Sequence, residues 1–221
     1  MNVERKPLAI ERILQHRVSA IIRTTDERLA GDAIQAAVDG GFRVVEFTLT
    51  TPGAFKLIER FASDGGLAVG AGTVLQPQQA RDAVAAGASF IVSPITDPVI
   101  IDESHALGVA CIPGAYTPTE MEMAHRCGAD FVKVFPMPPG GVDFIVAIRL
   151  PLPHLRLFPT AGVDENNVVA FLEAGCAGVG FVRTLFTPHD MAERNFAAIR
   201  ARASTITSRV TDWLTSHEPR S

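Results

Sequence analysis

Residues 76–92, QPQQARDAVAAGASFIV, contain one complete unit of the pattern that decides the fold. Over Gln76–Ala86 the apolar residues recur at the spacing of an amphipathic helix. Gly87 then supplies the left-handed backbone conformation with which many helices end. The apolar run Phe90–Val92 follows without interruption by polar residues, which is typical of a parallel strand that is buried on both faces. The stretch therefore predicts a helix that leads directly into a buried strand.

The same unit recurs along the chain. Glycines end predicted helices at positions 40, 87, 128 and 175, which are 41 to 47 residues apart, or about two strand–helix units per interval. Further helices are predicted over Asp26–Asp39, Thr117–Arg126 and Glu165–Glu173. Eight strand-length runs rich in Val, Ile and Phe are found: Val18–Ile22, Val44–Phe47, Leu67–Val69, Phe90–Val92, Val109–Ile112, Phe131–Phe135, Leu155–Phe158 and Ala177–Val179.

Eight strands that alternate with helices predict an α/β fold, a (β/α)8 TIM barrel, with residues 1–16 as an N-terminal helix before the first strand. An open doubly wound sheet is the alternative, but no G-x-G-x-x-G motif follows the first run, as a dinucleotide site would require. No linker or shift in composition divides the chain. We therefore expect a single domain over residues 1–221, with a frayed tail over 217–221.

Composition narrows the class of protein. Hydrophobic residues make up 47% and charged residues 20% of the 221 residues, which indicates a globular chain and excludes a disordered one. The formal net charge is −4 and no Lys/Arg run occurs, so we expect no nucleic-acid partner. The apolar stretches are far shorter than the roughly 20 residues of a membrane span, and we expect no membrane partner. Three cysteines without a CxxC pair indicate free thiols and a cytoplasmic protein.

Lys133 stands out because it lies in the middle of a predicted strand. It is flanked by β-branched and aromatic residues in Phe131–Phe135, and it is one of only three lysines in the chain. Burial there disfavours the ammonium form and favours the neutral amine. A neutral amine is what a Schiff base with a carbonyl substrate requires, so we expect Lys133 to be catalytic. The alternatives are a lysine paired with a carboxylate and a lysine that extends to solvent.

Glu46 is the second candidate. Val45 and Phe47 are expected to face the helices, so the alternation of the strand turns Glu46 toward the barrel axis. The second and sixth strands are opposite in an eight-stranded barrel, which allows Glu46 and Lys133 to meet near the axis. A carboxylate beside the reacting nitrogen could move protons during carbinolamine dehydration and at the substrate carbon. The alternative is a buried ion pair.

Further candidates lie where strands end, the place where barrels carry functional residues. Arg23, after the first strand, is a candidate clamp for a carboxylate, or else a surface arginine. The turns Gly70–Thr73 and Thr160–Gly162 could offer backbone N–H groups to an anion, or could be tight turns only. The six histidines show no HxH or HxxxH spacing, so we expect no metal site and no cofactor.

At these residues the chain resembles a known family, the class I aldolases that cleave 2-keto-3-deoxy-6-phosphogluconate (KDPG) and 4-hydroxy-2-oxoglutarate (KHG). The matching motifs run in order between Val18 and Phe186, and their ordered set is highly specific. They are VEFTLT at Val45–Thr50, GAGTVL at Gly70–Leu75, IVSP at Ile91–Pro94, IPG at Ile112–Gly114, FVKVFP at Phe131–Pro136 and FPTAGV at Phe158–Val163.

The resemblance implies a barrel, usually a homotrimer, that splits a small keto acid into pyruvate and an aldehyde. It implies that Lys133 forms the Schiff base and that Glu46 is the general acid and base. Arg23 matches the arginine that ends the family's first strand. The residues implied to line the keto-acid pocket are Thr73, Pro94 and Pro113.

The chain departs from the family where phosphate usually binds. The family commonly has Pro-Thr-Gly-Gly after the seventh strand, and here Ala161 follows Thr160 and precedes Gly162. After the eighth strand, Val182 and Arg183 stand in the places of a Gly-Ser turn. Valine adds a Cβ where a backbone N–H should approach an anion, whereas Arg183 adds a charge that could replace the lost donors. We expect Thr160, Gly162 and Arg183 to bind substrate, and whether that substrate is phosphorylated stays open.

Two other functions compete with the aldolase. A barrel isomerase or epimerase on a sugar phosphate would use Glu46 and Lys133 only for proton transfer, without a covalent imine. A non-catalytic barrel that binds a small molecule would need neither residue. The presence of a lysine at a costly apolar position argues against that second alternative.

Overall fold

Parallel strands and helices alternate over residues 5–217, the part of the chain that this computed structural model describes. The strands are Val18–Ile22 (β1), Val44–Thr48 (β2), Ala68–Gly72 (β3), Phe90–Val92 (β4), Ala110–Ile112 (β5), Gly114–Ala115 (β6), Val132–Val134 (β7), Leu157–Pro159 (β8) and Val179–Phe181 (β9). The helices are Arg5–His16 (α1), Glu27–Asp39 (α2), Ala54–Ala62 (α3), Pro77–Ala85 (α4), Pro98–Ala106 (α5), Pro118–Arg126 (α6), Val142–Arg149 (α7), Val168–Glu173 (α8), Pro188–Ala192 (α9) and Phe196–His217 (α10).

The strands form one curved, all-parallel wall. Six of them pair in the order β5-β4-β3-β2-β1-β9, and three in the order β6-β7-β8. Only Pro113 separates β5 from β6, and its missing N–H interrupts the ladder there. On the other side, Thr160 bridges to Gly180 and joins β8 to β9. The predicted (β/α)8 barrel is thereby confirmed; β5 lies within the fifth predicted strand, and the two-residue strand β6 follows it beyond Pro113.

Strand alternation creates two apolar layers. Val45 and Phe47 of β2 face outward and pack against the helices, as their positions on either side of Glu46 predict. Val44 belongs instead to the interior layer, together with residues such as Phe90 and Phe131. The interior layer occupies the lower part of the barrel, so the site residues lie above a filled core.

The N-terminal helix α1 closes the bottom of the barrel. Its Ala9 and Ile13 are buried in the interior layer, which confirms the helix predicted before the first strand. Residues 1–4 of that predicted helix lie outside the described residues. At the other end, His217 is the last residue of α10, and 218–221 lie outside the described residues, so the frayed tail over 217–221 stays a prediction. A single domain over the whole of 1–221 stays a prediction.

None of the helices found between residues 5 and 217 combines the length and apolar character that crossing a bilayer requires.

Candidate active site

A cavity of about 610 Å³ opens at the carboxyl ends of the strands, the end where barrels carry their functional residues. Six residues singled out from the sequence line it: Arg23, Glu46, Lys133, Thr160, Gly162 and Arg183. They come from β2, β7 and the segments that follow β1, β8 and β9. The barrel thus brings together side chains and turns that are up to 160 residues apart in the chain.

Lys133 lies at the centre of β7, in register with Gly114 of β6 and Phe158 of β8. Its neighbours Val132 and Val134 are buried outside the barrel wall, so Lys133 projects into the cavity and remains only 8% exposed. Burial lowers the pKa of the Lys133 amine; Glu46 opposes this shift, and the positive charge of Arg23 adds to it. Nζ lies 5.0 Å from the centroid of the Phe135 ring. This environment favours the neutral amine.

Glu46 reaches the same cavity from β2 and is 3% exposed. Burial raises the pKa of its carboxyl group, while the charges of Lys133 and Arg23 act in the opposite direction. Its Oε1 is buried and has no hydrogen-bond partner among the described residues. A raised pKa brings a carboxyl group closer to the pH at which an acid–base group works.

Glu46 and Lys133 face a common space without forming a direct ion pair. Over residues 5–217 neither side chain has a salt-bridge partner, although each shifts the pKa of the other. The structure therefore does not contain the buried ion pair between Glu46 and Lys133 that was the alternative interpretation. The space between an amine and a carboxyl group is where a carbonyl substrate and its protons would lie.

Arg23 stands at the rim of the cavity, exposed, and its Nη2 donates a hydrogen bond to Thr73 Oγ1 at 3.1 Å. Thr73 adopts a left-handed backbone with φ of 61°. Thr73 is thus joined to the rim through Arg23 but does not itself line the cavity.

Pro94 and Pro113 do not line the cavity either. The backbone of Pro94 lies against Gly114, whose missing Cβ leaves room for it. Pro113 is buried in the barrel wall, and its carbonyl accepts the backbone N–H of Lys133 at 2.9 Å. Thr73 thus contacts Arg23, Pro113 contacts Lys133 and Pro94 contacts Gly114. That these three residues line the keto-acid pocket stays a prediction.

The turns after β8 and β9 form the opposite rim. Ala161 and Gly162 both have left-handed backbones, with φ of 71° and 74°. Thr184 Oγ1 donates to the carbonyl of Val163 at 2.6 Å and ties the two turns together. Arg183 lines the cavity and is exposed, and its guanidinium has no hydrogen-bond or ion-pair partner over residues 5–217. The arginine is accordingly free to meet an anion.

The cavity also contains residues that sequence reasoning missed. Thr48 lies two residues beyond Glu46 on the same strand, and strand alternation alone could have found it. Phe186, Pro188 and Met191 form an apolar wall after β9. They lie in a turn and a five-residue helix, where no periodic pattern marks the inward-facing side.

Among residues 5–217, no three His, Cys, Asp or Glu side chains lie together as a metal-binding group.

Comparison with known proteins gives a consistent picture. Residues 10–201 match the family model described as KDPG and KHG aldolase. The 2-dehydro-3-deoxy-6-phosphogalactonate aldolase of Escherichia coli is 34% identical over 180 residues, or 79% of this chain and 87% of that protein. The 2-dehydro-3-deoxy-phosphogluconate aldolase of Treponema pallidum is 37% identical over 161 residues, or 71% of this chain and 76% of that protein.

One similar solved structure contains a covalent reaction intermediate. KDPG aldolase from Legionella pneumophila, with pyruvate captured as a covalent carbinolamine intermediate, has a TM-score of 0.78 and 27% identity. The match covers 90% of this chain and 97% of that one. With a barrel, a buried lysine facing a buried carboxyl group, and a family match over most of its length, this chain belongs to the KDPG and KHG aldolase family.

Proposed function

We propose that this protein is a class I aldolase that cleaves a 2-keto-3-deoxy or 4-hydroxy-2-oxo acid into pyruvate and an aldehyde. The observation that carries the proposal is Lys133, an almost fully buried lysine without an ion-pair partner over residues 5–217, at the base of an open cavity. Its lowered pKa supports a neutral, nucleophilic amine, which an imine-forming enzyme needs.

The first half of the reaction forms the imine. The amine of Lys133 attacks the C2 carbonyl carbon of the keto acid, and the carbonyl oxygen takes up a proton to give a carbinolamine. Glu46, with its raised carboxyl pKa, donates the proton with which the hydroxyl group leaves as water. The product is an iminium ion that joins Lys133 to C2 of the substrate.

The second half breaks the carbon–carbon bond. Ionised Glu46 accepts the proton of the C4 hydroxyl group, the aldehyde leaves, and the electrons of the C3–C4 bond move into the iminium to form an enamine. Glu46 then returns the proton to C3. Addition of water to the resulting iminium releases pyruvate and restores the free amine.

Arg23 is the group that we propose for the carboxylate of the keto acid. It stands on the cavity rim, and its hydrogen bond to Thr73 Oγ1 uses only part of a guanidinium that has five N–H donors. A guanidinium can grip a carboxylate with two parallel hydrogen bonds. Thr73, Pro94 and Pro113 would contribute by holding Arg23 and β7 in place.

The far end of the substrate would meet the other rim. We propose Thr160, Gly162 and Arg183 as its binding residues, because all three line the cavity on that side. Arg183 supplies a positive charge there without an ion-pair partner over residues 5–217, which suits a carboxylate as well as a phosphate. We propose a short dicarboxylic substrate such as 4-hydroxy-2-oxoglutarate rather than a phosphorylated acid, because the Cβ of Val182 hinders approach of a phosphate to the backbone N–H groups of this turn.

The decisive experiment is trapping with pyruvate and borohydride, followed by mass spectrometry of the peptides. Reduction of the imine should add one carboxyethyl group to the peptide that contains Lys133. Lys133→Met should abolish both labelling and cleavage, whereas Lys56→Met, a change at an exposed helix position, should leave both unchanged. Turnover without any adduct at Lys133 would favour the isomerase or epimerase alternative instead.

The assembly and the compartment are also proposals. We propose a homotrimer, supported by the exposed apolar residues Leu75, Ile95 and Tyr116, which follow three strands at the same end of the barrel. Multi-angle light scattering should give three times the 23.6 kDa of one chain, and a single-chain mass would refute the trimer. The free thiols Cys111, Cys127 and Cys176 support a cytoplasmic protein.

A further inference from the structure

A second, much smaller cavity lies inside the barrel between α1 and the active site. It extends from Ile13 of α1 at the bottom to Glu46, Lys133 and Thr160 at the top. Its volume is about 10 Å³. A space of this size accommodates a single water molecule, provided that polar groups are within reach.

Two of the residues that line this space each carry a buried polar atom without a protein partner among the described residues. Ser19 is 2% exposed, and its Oγ has no hydrogen-bond partner among the described residues. The same holds for Oε1 of Glu46. Leaving either atom unpaired in an apolar barrel interior is costly, because each would lose its hydrogen bond to water on folding. Both residues line the small cavity.

Packing alone does not explain a serine at this position. Val18 and Ala20 on either side belong to the outer apolar layer, so Ser19 faces the barrel interior. Ser19 is in register with Gly180, and Ile21, one inward position further along β1, is in register with Glu46. The hydroxyl group therefore lies one layer below the Glu46 carboxylate, among apolar neighbours such as Val44 and Phe90.

We propose that Ser19 is a positioning residue whose hydroxyl holds one water molecule against Glu46 Oε1, on the side of the carboxylate away from the substrate. The water accepts from Ser19 and donates to Glu46, which satisfies both unpaired atoms with one ligand. This inference rests on the proposed function, in which Glu46 moves protons.

The water would affect the chemistry through the proton affinity of Glu46. A hydrogen bond donated to a carboxylate stabilises its ionised form and so counteracts burial. The other charged groups that act on Glu46 are Lys133 on β7 and Arg23 at the end of β1, and both also favour ionisation. The water held by Ser19 would also favour ionisation of Glu46, and a substitution of Ser19 would remove this effect without changing the charge of Lys133 or Arg23.

The test compares Ser19→Ala with Ser104→Ala. Both variants delete one buried serine hydroxyl, but that of Ser104 donates to Ile100 within α5, away from the cavity. In Ser19→Ala the acid limb of the pH profile of kcat/KM for cleavage should move upward by about one pH unit. The profile of Ser104→Ala should match that of the unaltered protein.

A crystal structure of the unaltered protein provides the second measurement. Water density within hydrogen-bond distance of both Ser19 Oγ and Glu46 Oε1 supports the site, and a dry cavity overturns it. An unshifted acid limb in folded Ser19→Ala overturns the positioning role. Failure of pyruvate trapping at Lys133 would refute the proposed function instead, and the water density would still decide the site.

Discussion

Gly72 leaves the space that the carboxylate of Glu46 occupies. A Cβ at position 72 would overlap Glu46 Oε1, although Gly72 lies in regular β3 and needs no left-handed backbone. The pairing of β2 with β3 places Thr48 opposite Gly72 and Glu46 opposite Gly70. Gly72 is therefore needed because it makes room for the side chain of Glu46 on the neighbouring strand, and not because the backbone turns there.

Gly72→Ala should displace the Glu46 carboxylate and impair proton transfer while the fold remains. A misplacement of about 1 Å can lower turnover by about 10²-fold, and we expect a loss of that order in kcat. Pyruvate should still label Lys133, more slowly. Gly65→Ala is the matched control, because a Cβ there meets nothing within 4 Å. Unchanged kcat in Gly72→Ala would show that Glu46 is not held in place by this contact.

The pH dependence of trapping should report the buried state of Lys133. Because burial lowers the pKa of Lys133, its neutral amine persists to lower pH than that of an ordinary lysine. As the pH is lowered, labelling by pyruvate and cyanoborohydride should therefore fall off at a lower pH than it would for an ordinary lysine. A labelling rate that rises continuously toward pH 10 would contradict the burial argument.

Glu46→Gln keeps the shape of the side chain but removes its proton exchange. General acid–base groups contribute roughly 10²–10⁴-fold, and we expect kcat to fall by that amount. The variant also loses the negative charge that raises the pKa of Lys133, so the acid limb of trapping should move to lower pH. Stopped-flow measurement of imine formation over a range of pH gives the acid limb, and steady-state cleavage assays give kcat. Full activity in this variant would assign the proton transfers to another group.

Residue patterns predicted most of the barrel because the strands are buried on both faces. Continuous apolar runs such as Phe90–Val92 coincide with the observed strand, and the inward direction of Glu46 followed from the alternation around it. The two-residue strand β6 was not predicted; Pro113, which cannot donate to the ladder, separates it from the fifth apolar run. Boundaries elsewhere moved by one to three residues, as in Ala68–Gly72, where glycine and alanine continue the strand beyond the apolar run.

The rim of the site was harder to predict because turns carry no periodicity. Arg183 was singled out by its charge and position, whereas Phe186 and Met191 gave no signal that distinguished cavity wall from ordinary packing. Thr73 was expected to line the pocket, and its hydroxyl accepts a hydrogen bond from Arg23 at the cavity rim. Backbone direction in a turn depends on tertiary contacts, which a sequence pattern of a few residues does not encode.

Activity should survive exhaustive chelation. An iminium on Lys133 accepts the electrons of the breaking bond, so the reaction needs no Lewis acid for that purpose. Cleavage rates measured after dialysis against a chelator should match those of untreated protein. Loss of activity that a divalent ion restores would move this protein to the metal-dependent class of aldolases.

The choice of substrate should depend on Arg183. The Cβ of Val182 hinders close approach of an anion to the backbone N–H groups of that turn, so phosphate would lose donors that a glycine turn offers. Arg183 lines the cavity and its guanidinium can hold a carboxylate at the far end of a short acid. Arg183→Ala should therefore raise KM for 4-hydroxy-2-oxoglutarate with little change in kcat, the pattern of lost uniform binding.

Arg28→Ala, which removes an exposed arginine from the first turn of α2, is the control for a general effect of charge. Values of kcat/KM for 4-hydroxy-2-oxoglutarate and for 2-keto-3-deoxy-6-phosphogluconate, measured side by side, decide the question. We expect weaker activity on the phosphorylated acid, because the one flexible side chain of Arg183 stands in place of the several fixed backbone N–H donors of a glycine turn. A strong preference for the phosphorylated acid that persists in Arg183→Ala would mean that other groups on this rim bind the phosphate.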